Sequence, residues 1–430
     1  MTAFPSPVRA PHDAREAASP THSASDTRQT VSPPHTATDT DSSRTTSASP
    51  QAAPSTHSAS DAHQATSPPH TASDTPRPAS PPQAPADVRR ATASAHASVD
   101  ARQVLGRCRA LVQPALREAV GRTHSWVGEM AAYSFGWCEV GGAPTTGSGG
   151  KGVRQALAVL GAEAVGASGG VAVPGAVAVE LVHAFSLLHD DIMDGDTDRR
   201  RRPTVWKAYG TGPAVLAGDA LFALAVETLA AAPAGPRAVR QLSVALQDLV
   251  RGQADDLLFA TRPWTGPERV RPDEYRAMAE HKTGALLGCA AALGALLGGA
   301  PPATVCALDR AGRHLGVAFQ VVDDLLGIWG DPAVTGKPVF GDLRERKKTF
   351  PVLAALDSPA AGRLRALLES DAGPGEVAAL IEESGGRSAA LAEARRQVTA
   401  AQAALADVPL EAETAEALRS LIDFLVRRDQ

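Results

Sequence analysis

Two aspartate-rich clusters limit what this chain can fold into, because both lie in alanine- and leucine-rich sequence patterned as helix. The first reads Asp190-Asp191-Ile192-Met193-Asp194 and leads into the basic run Arg199 to Arg202; the second reads Asp323-Asp324-Leu325-Leu326. Facing carboxylates inside an apolar helical bundle repel one another unless cations stand between them. Hard oxygen ligands of this kind suit Mg2+, which bridges a few carboxylates to substrate phosphates. The pattern points to a helical bundle that holds a diphosphate through magnesium.

The rest of the 430-residue chain is uneven. Up to about Pro85 it is mostly Ser, Thr, Ala, Pro, His and Asp, and no Leu precedes Leu105. A segment with so little to bury cannot offset the entropy of ordering its backbone, so residues 1–87 are expected to be a disordered tail. That tail repeats itself: Thr21–Thr40 and Thr56–Thr75 agree at fifteen of twenty positions. No apolar face is available for stacking, which excludes a solenoid and leaves a duplicated short motif. Residues 88–430 are long enough for one helical domain.

A formal net charge of −5 gives no basic footprint for nucleic acid. No membrane span is expected either; Gly284–Ala300 comes nearest and reads as a buried helix. The four cysteines lack ligand-like spacing, and reduced thiols fit a cytoplasmic protein. Helical spacing marks Gly175 to Met193, Leu216 to Ala230, Val239 to Ala260, Pro272 to Gly298, Thr304 to Trp329 and Glu376 to Leu405. Alternating strand patterns are absent, so the expected class is all-α.

On a helix, Asp190 and Asp194 share one face about 5–6 Å apart, with Asp191 flanking them. The apolar lead-in from Ala178 to His189 argues against an exposed acidic tip, and the following arginines match phosphate oxygens. The second cluster follows Phe319-Gln320 and precedes Asp331, Lys337, Asp342, Lys347 and Lys348. Metal on one side and cations on the other would stabilise a departing diphosphate.

In these elements the chain resembles the trans-isoprenyl diphosphate synthases, or polyprenyl synthetases. Gly150-Lys151-Gly152-Val153-Arg154 resembles their GKxxR element, and Leu187 to Thr204 their first aspartate-rich motif with its arginine pair. Gly252-Gln253 with Asp256, Lys282-Thr283, Phe319 to Asp324, and Gly336-Lys337 through Pro351 resemble the remaining elements in order. The resemblance implies an isoprenoid-synthase-like all-α bundle around a central cavity, and an enzyme using Mg2+. It implies that Asp190, Asp191 and Asp194 hold Mg2+ on an allylic diphosphate, with Asp323, and Asp324 beside it, holding metal opposite. Arg199, Lys282, Lys337 and Lys347 are implied to contact that diphosphate, with Thr283 and Gln320 beside it. Lys151, Arg154, His183 and Arg200 are implied to hold isopentenyl diphosphate, His183 being open to a packing role as well. His189 is given no role.

Gly327 stands where this family usually has a third aspartate, and Arg201 and Arg346 stand where it often has glycine. Phe185 and Ser186, about one turn before Asp190, are implied to set product length, with geranylgeranyl diphosphate expected and farnesyl diphosphate as the alternative. Rival readings are a class I terpene cyclase, for which the Lys151, Arg154 and Arg200 set has no use, and a non-catalytic regulatory subunit of a prenyl synthase. The family implies a homodimer. Some bacterial relatives with similar tails are cargo of encapsulin shells, so the duplicated motif suggests a multivalent shell address and a place inside a nanocompartment. Replacing Phe185 with Ala is expected to lengthen the product; chain lengths identical to the parent's on chromatography would remove Phe185 as the tunnel floor.

Overall fold

The computed structural model describes residues 100–145, 150–332, 339–359, 361–370 and 372–426. The expected tail, its duplicated motif and its boundary at 87 lie outside the described residues, as does Lys337. In chain order the helices are α1 (Ala101–Gly121), α2 (Ser125–Ser134), α3 (Val153–Glu163), α4 (Val173–Met193), α5 (Val205–Tyr209) and α6 (Thr211–Ala230). They continue with α7 (Gly235–Thr261), α8 (Pro272–Ala279), a π turn (Glu280–Gly284), α9 (Ala285–Leu297), α10 (Pro302–Trp329) and α11 (Gly341–Arg344). The last are α12 (Phe350–Leu356), α13 (Gly362–Leu368), α14 (Pro374–Glu383), α15 (Gly386–Ala406) and α16 (Ala412–Val426). The all-α expectation holds, and the extended structure among the described residues is a minimal hairpin pairing Asp198-Arg199 with Arg202-Pro203, plus one isolated bridge from Cys138 to Pro144.

The core is built on α9, whose residues from Ala285 to Leu296 are all buried. Small residues let its neighbours approach closely. A Cβ at Gly294 would lie 1.9 Å from the Ala158 carbonyl oxygen of α3, and one at Gly316 would lie 2.3 Å from Gly284. These crossings bring α3 and α10 against α9 at backbone distance, and α4 packs alongside with its apolar length buried from Gly175 to Leu188 on most positions.

Three expectations need correction. The run Glu376–Leu405 is broken at Gly385, whose φ of 82° ends one helix and starts the next. The run Pro272–Gly298 contains the π turn. Two helices, α4 with its lead-in from Gly169 and α6, are long and apolar enough to cross a membrane, whereas the stretch singled out earlier is the shorter α9. Packing explains α4's hydropathy, since it is a core element; α6 is less covered.

The hairpin turns tightly at Arg200 and Arg201, both with positive φ (54° and 63°), and Arg346 is likewise left-handed at 55°. Both glycine-to-arginine departures therefore fall where backbone geometry favours glycine. A left-handed residue with a Cβ costs about 1–2 kcal/mol. Arg201 is exposed, so Arg201→Gly is expected to raise stability by about 1 kcal/mol in urea unfolding. Arg346→Gly also removes a guanidinium bond to the Leu368 carbonyl, so its gain is expected to be smaller; an Arg201→Gly midpoint below the parent's would overturn the strain account.

Candidate active site

The first acidic wall forms at the end of α4. Gly195, with φ 71°, stops the helix after Met193, and the Asp194 N–H donates to the Asp190 carbonyl at 2.8 Å. Asp190 and Asp194 thus lie one turn apart. Burial pushes Asp190 up to about 6, with Lys282 pulling the other way and Asp194 adding to the rise. Burial also raises Asp194, against the fields of Lys282 and Lys347. Asp191 is 4% exposed and accepts from Arg199 Nε at 2.6 Å and Nη2 at 2.5 Å. The loop beyond is pinned by Thr204 Oγ1 and Trp206 Nε1, each donating to the Asp196 carbonyl at 2.8 Å.

The opposing wall combines the π turn, α7 and α10. The π turn breaks the α-helical register between α8 and α9; within it Lys282 is half-buried and Thr283 is buried. Gly252 makes room for this, because a Cβ there would sit 2.2 Å from the Lys282 nitrogen. Lys282 Nζ pairs with Asp256 of α7 at 2.5 Å. Thr283 Oγ1 donates to Gln320 Oε1 at 3.0 Å, and Gln320 Nε2 donates to Asp324 Oδ1 at 3.3 Å.

Asp324 departs from its expected role as a metal ligand. It is 5% exposed, and its Oδ2 accepts from the Tyr275 hydroxyl and, at 2.8 Å, from the Phe350 N–H. Burial pushes it up to about 7 despite these donors. Adjacent residues on a helix point about 100° apart, so Asp324 anchors α10 to α8 and α12. Asp323 is half-buried on the face shared, by spacing, with Gln320 and Gly327.

A third, cationic group gathers at the start of α3, on α4 and at the hairpin turn. Arg154 is half-buried, and burial lowers it to about 10 while Glu180 opposes the fall and Arg200 adds to it. Its Nε has no hydrogen-bond partner among the described residues, and neither amide atom of buried Gln253 has one. Burial, reinforced by Arg154, Arg200 and Arg199, holds His183 well below its usual range and therefore neutral. Arg109 donates to the Gly150 carbonyl and fixes the loop that carries exposed Lys151. Glu180 was missed as a site residue, although a lone acid one turn before His183 in an apolar run was a legible signal. Tyr275 left no such mark.

Lys347 is exposed and pairs with Glu345 at 2.6 Å. Phe185 packs on the α6 side of α4 against Phe222 (5.7 Å) and His189 (4.8 Å), while Ser186 Oγ donates to the His183 carbonyl at 3.0 Å. A cleft of about 340 Å³ between α7 and α8 lies apart from the aspartate pair, and Arg262 and Glu274 in its lining already pair with one another.

Among the described residues no three His, Cys, Asp or Glu side chains converge tightly enough to hold a metal ion unaided. The donors near Asp190 and Asp194 are carboxylates with lysines opposite. An oxygen-only, incomplete set of this kind fits Mg2+, which keeps waters and takes ligands from phosphate, better than Zn2+.

The polyprenyl synthetase family model matches residues 142–384. A (2E,6E)-farnesyl diphosphate synthase from Mycobacterium tuberculosis is 45% identical over 337 residues, covering 76% of this chain and 92% of the relative. A geranylgeranyl diphosphate synthase from the same species is 46% identical over 314 residues, covering 71% and 88%. The crystal structure of a polyprenyl synthetase from Streptomyces coelicolor superposes with a TM-score of 0.71 at 49% identity, covering 76% of this chain and all of the other. Motif order, helical architecture and these likenesses coincide on the same residues: the chain belongs to the polyprenyl synthetase family and is a prenyltransferase of the short-chain diphosphate synthase kind.

Proposed function

We propose that the chain joins isopentenyl diphosphate to an allylic diphosphate with Mg2+, giving geranylgeranyl diphosphate. The observation that carries this reading is the division of charge. Half-buried Asp190 lies within the field of Lys282 and exposed Asp194 within those of Lys282 and Lys347, while Arg154, Arg200 and neutral His183 form a separate group that lacks such an acid pair. Two diphosphates with different fates need two such sites. Asp190, Asp191, Asp194 and Asp323 would hold Mg2+, which when bound neutralises the departing diphosphate. Lys282 and Lys347, with Lys337, hold the allylic diphosphate, and release of Arg199 from Asp191 frees a further guanidinium for it. Thr283 and Gln320 line the same side.

Lys151, Arg154, His183 and Arg200 hold isopentenyl diphosphate without metal, so its C–O bond stays intact. The unpartnered Arg154 Nε supports this, since a buried donor is costly to leave unmade. Loss of the allylic diphosphate leaves a carbocation that the isopentenyl double bond attacks, and a proton then leaves, taken up by the released diphosphate. Phe185, packed against Phe222, supports a tunnel floor about one turn below Asp190; relatives of both product lengths match this chain. A terpene cyclase has no use for the second diphosphate group.

Incubating the full chain with isopentenyl diphosphate, each allylic starter and Mg2+, then sizing products, tests the reading. A twenty-carbon diphosphate is expected, and Asp190→Ala is expected to slow its formation about a hundredfold or more. Cyclised hydrocarbon, or an unimpaired Asp190→Ala, would reject it.

A homodimer through α6 and α7 completes the proposal. These helices present Leu216 (50% exposed), Val250 (61%) and Leu258 (60%), an apolar face that a second copy would cover. The duplicated tail motif supports cytoplasmic encapsulation in an encapsulin shell. On co-expression with a shell, the full chain is expected to load and a chain starting near Val88 is not; equal loading would end that idea.

A further inference from the structure

Gly327 lies on α10 one turn beyond Asp323, at a spacing that places both on the same face. In place of a side chain there, another residue's carboxylate fills the space. A Cβ built on Gly327 would lie 1.9 Å from Asp342 Oδ2 and 2.5 Å from its carboxyl carbon. Asp342 belongs to the four-residue helix α11, bracketed by two left-handed residues, Phe340 (φ 62°) and Arg346 (φ 55°). The Phe340 N–H donates to the Ile328 carbonyl of α10 at 3.2 Å, which ties α11 to the helix end at this point. The Lys347 N–H in turn donates to the Asp342 carbonyl at 2.9 Å. The negative charge of Asp342 reaches Asp324, Tyr275 and Lys347.

We propose that Asp342 is the third carboxylate of the second acidic wall, supplied from α11 in the space that Gly327 leaves beside Asp323. This rests on the magnesium reading above and extends it to a residue of this chain. Gly327 is then a requirement for metal holding: the missing side chain is what admits Asp342.

The test uses the full chain, with MgCl2 titrated in the presence of inorganic pyrophosphate and thermal unfolding as readout. Parent protein is expected to gain melting temperature with Mg2+. Asp342→Asn, which keeps the shape and removes the charge, is expected to raise the Mg2+ midpoint about tenfold or more. Gly327→Asp alone is expected to lower the metal-free melting temperature, because its Cβ collides with Asp342. Combining Gly327→Asp with Asp342→Gly is expected to restore both melting temperature and Mg2+ midpoint towards the parent's. An unchanged midpoint in Asp342→Asn, or a double variant no better than the worse single one, overturns the assignment while the magnesium reading stands. A parent protein indifferent to Mg2+ overturns both.

Discussion

Carboxylates desolvated among apolar helices are what the rest of this structure is arranged around. Asp190 loses water at the end of α4 while Asp194, one turn on, stays exposed; Lys282 offsets the cost at both, and Lys347 at Asp194. Every nearby irregularity serves that juxtaposition. Gly195 ends α4 so that the acids are presented and not buried further. Gly252 lets α7 approach the π turn closely enough for Asp256 to hold Lys282.

The same principle explains why some acids in the motifs do other work. Asp324 has given both oxygens to donors from α8, α10 and α12, so it fixes how three helices meet. Asp191 is held by Arg199 of the hairpin and, on the reading proposed above, joins the metal holders once that guanidinium turns to the diphosphate. Neighbouring letters in a motif thus divide between holding the wall and facing the space in front of it. The proposed reaction draws on the second group, and its precision depends on the first.

Much of this was legible in the sequence. Acids placed at helical spacing in apolar surroundings pointed to the architecture and the first wall, and the order of short elements singled out Lys282, which the fold pairs with Asp256, and Thr283 and Gln320, which it links to Asp324. What escaped was orientation and local backbone. Asp323 and Asp324 read alike as letters, yet they are separated by a rotation that only packing with Tyr275 and Phe350 settles. The π turn has no compositional signature, because Glu280 to Gly284 are acceptable helix residues. Gly327 looked like a loss until the fold brought Asp342, fifteen positions later, against it.

The π turn has a wider consequence. It uncouples the angular register of α8 from that of α9, so the two halves of one continuous rod answer to different demands. Substitutions along the wholly apolar α9 can retune its fit to α3 and α10 without rotating the ammonium of Lys282, and drift in α8 is similarly absorbed. A bundle built this way can change its interior dimensions over evolutionary time while its ionic machinery keeps its aim.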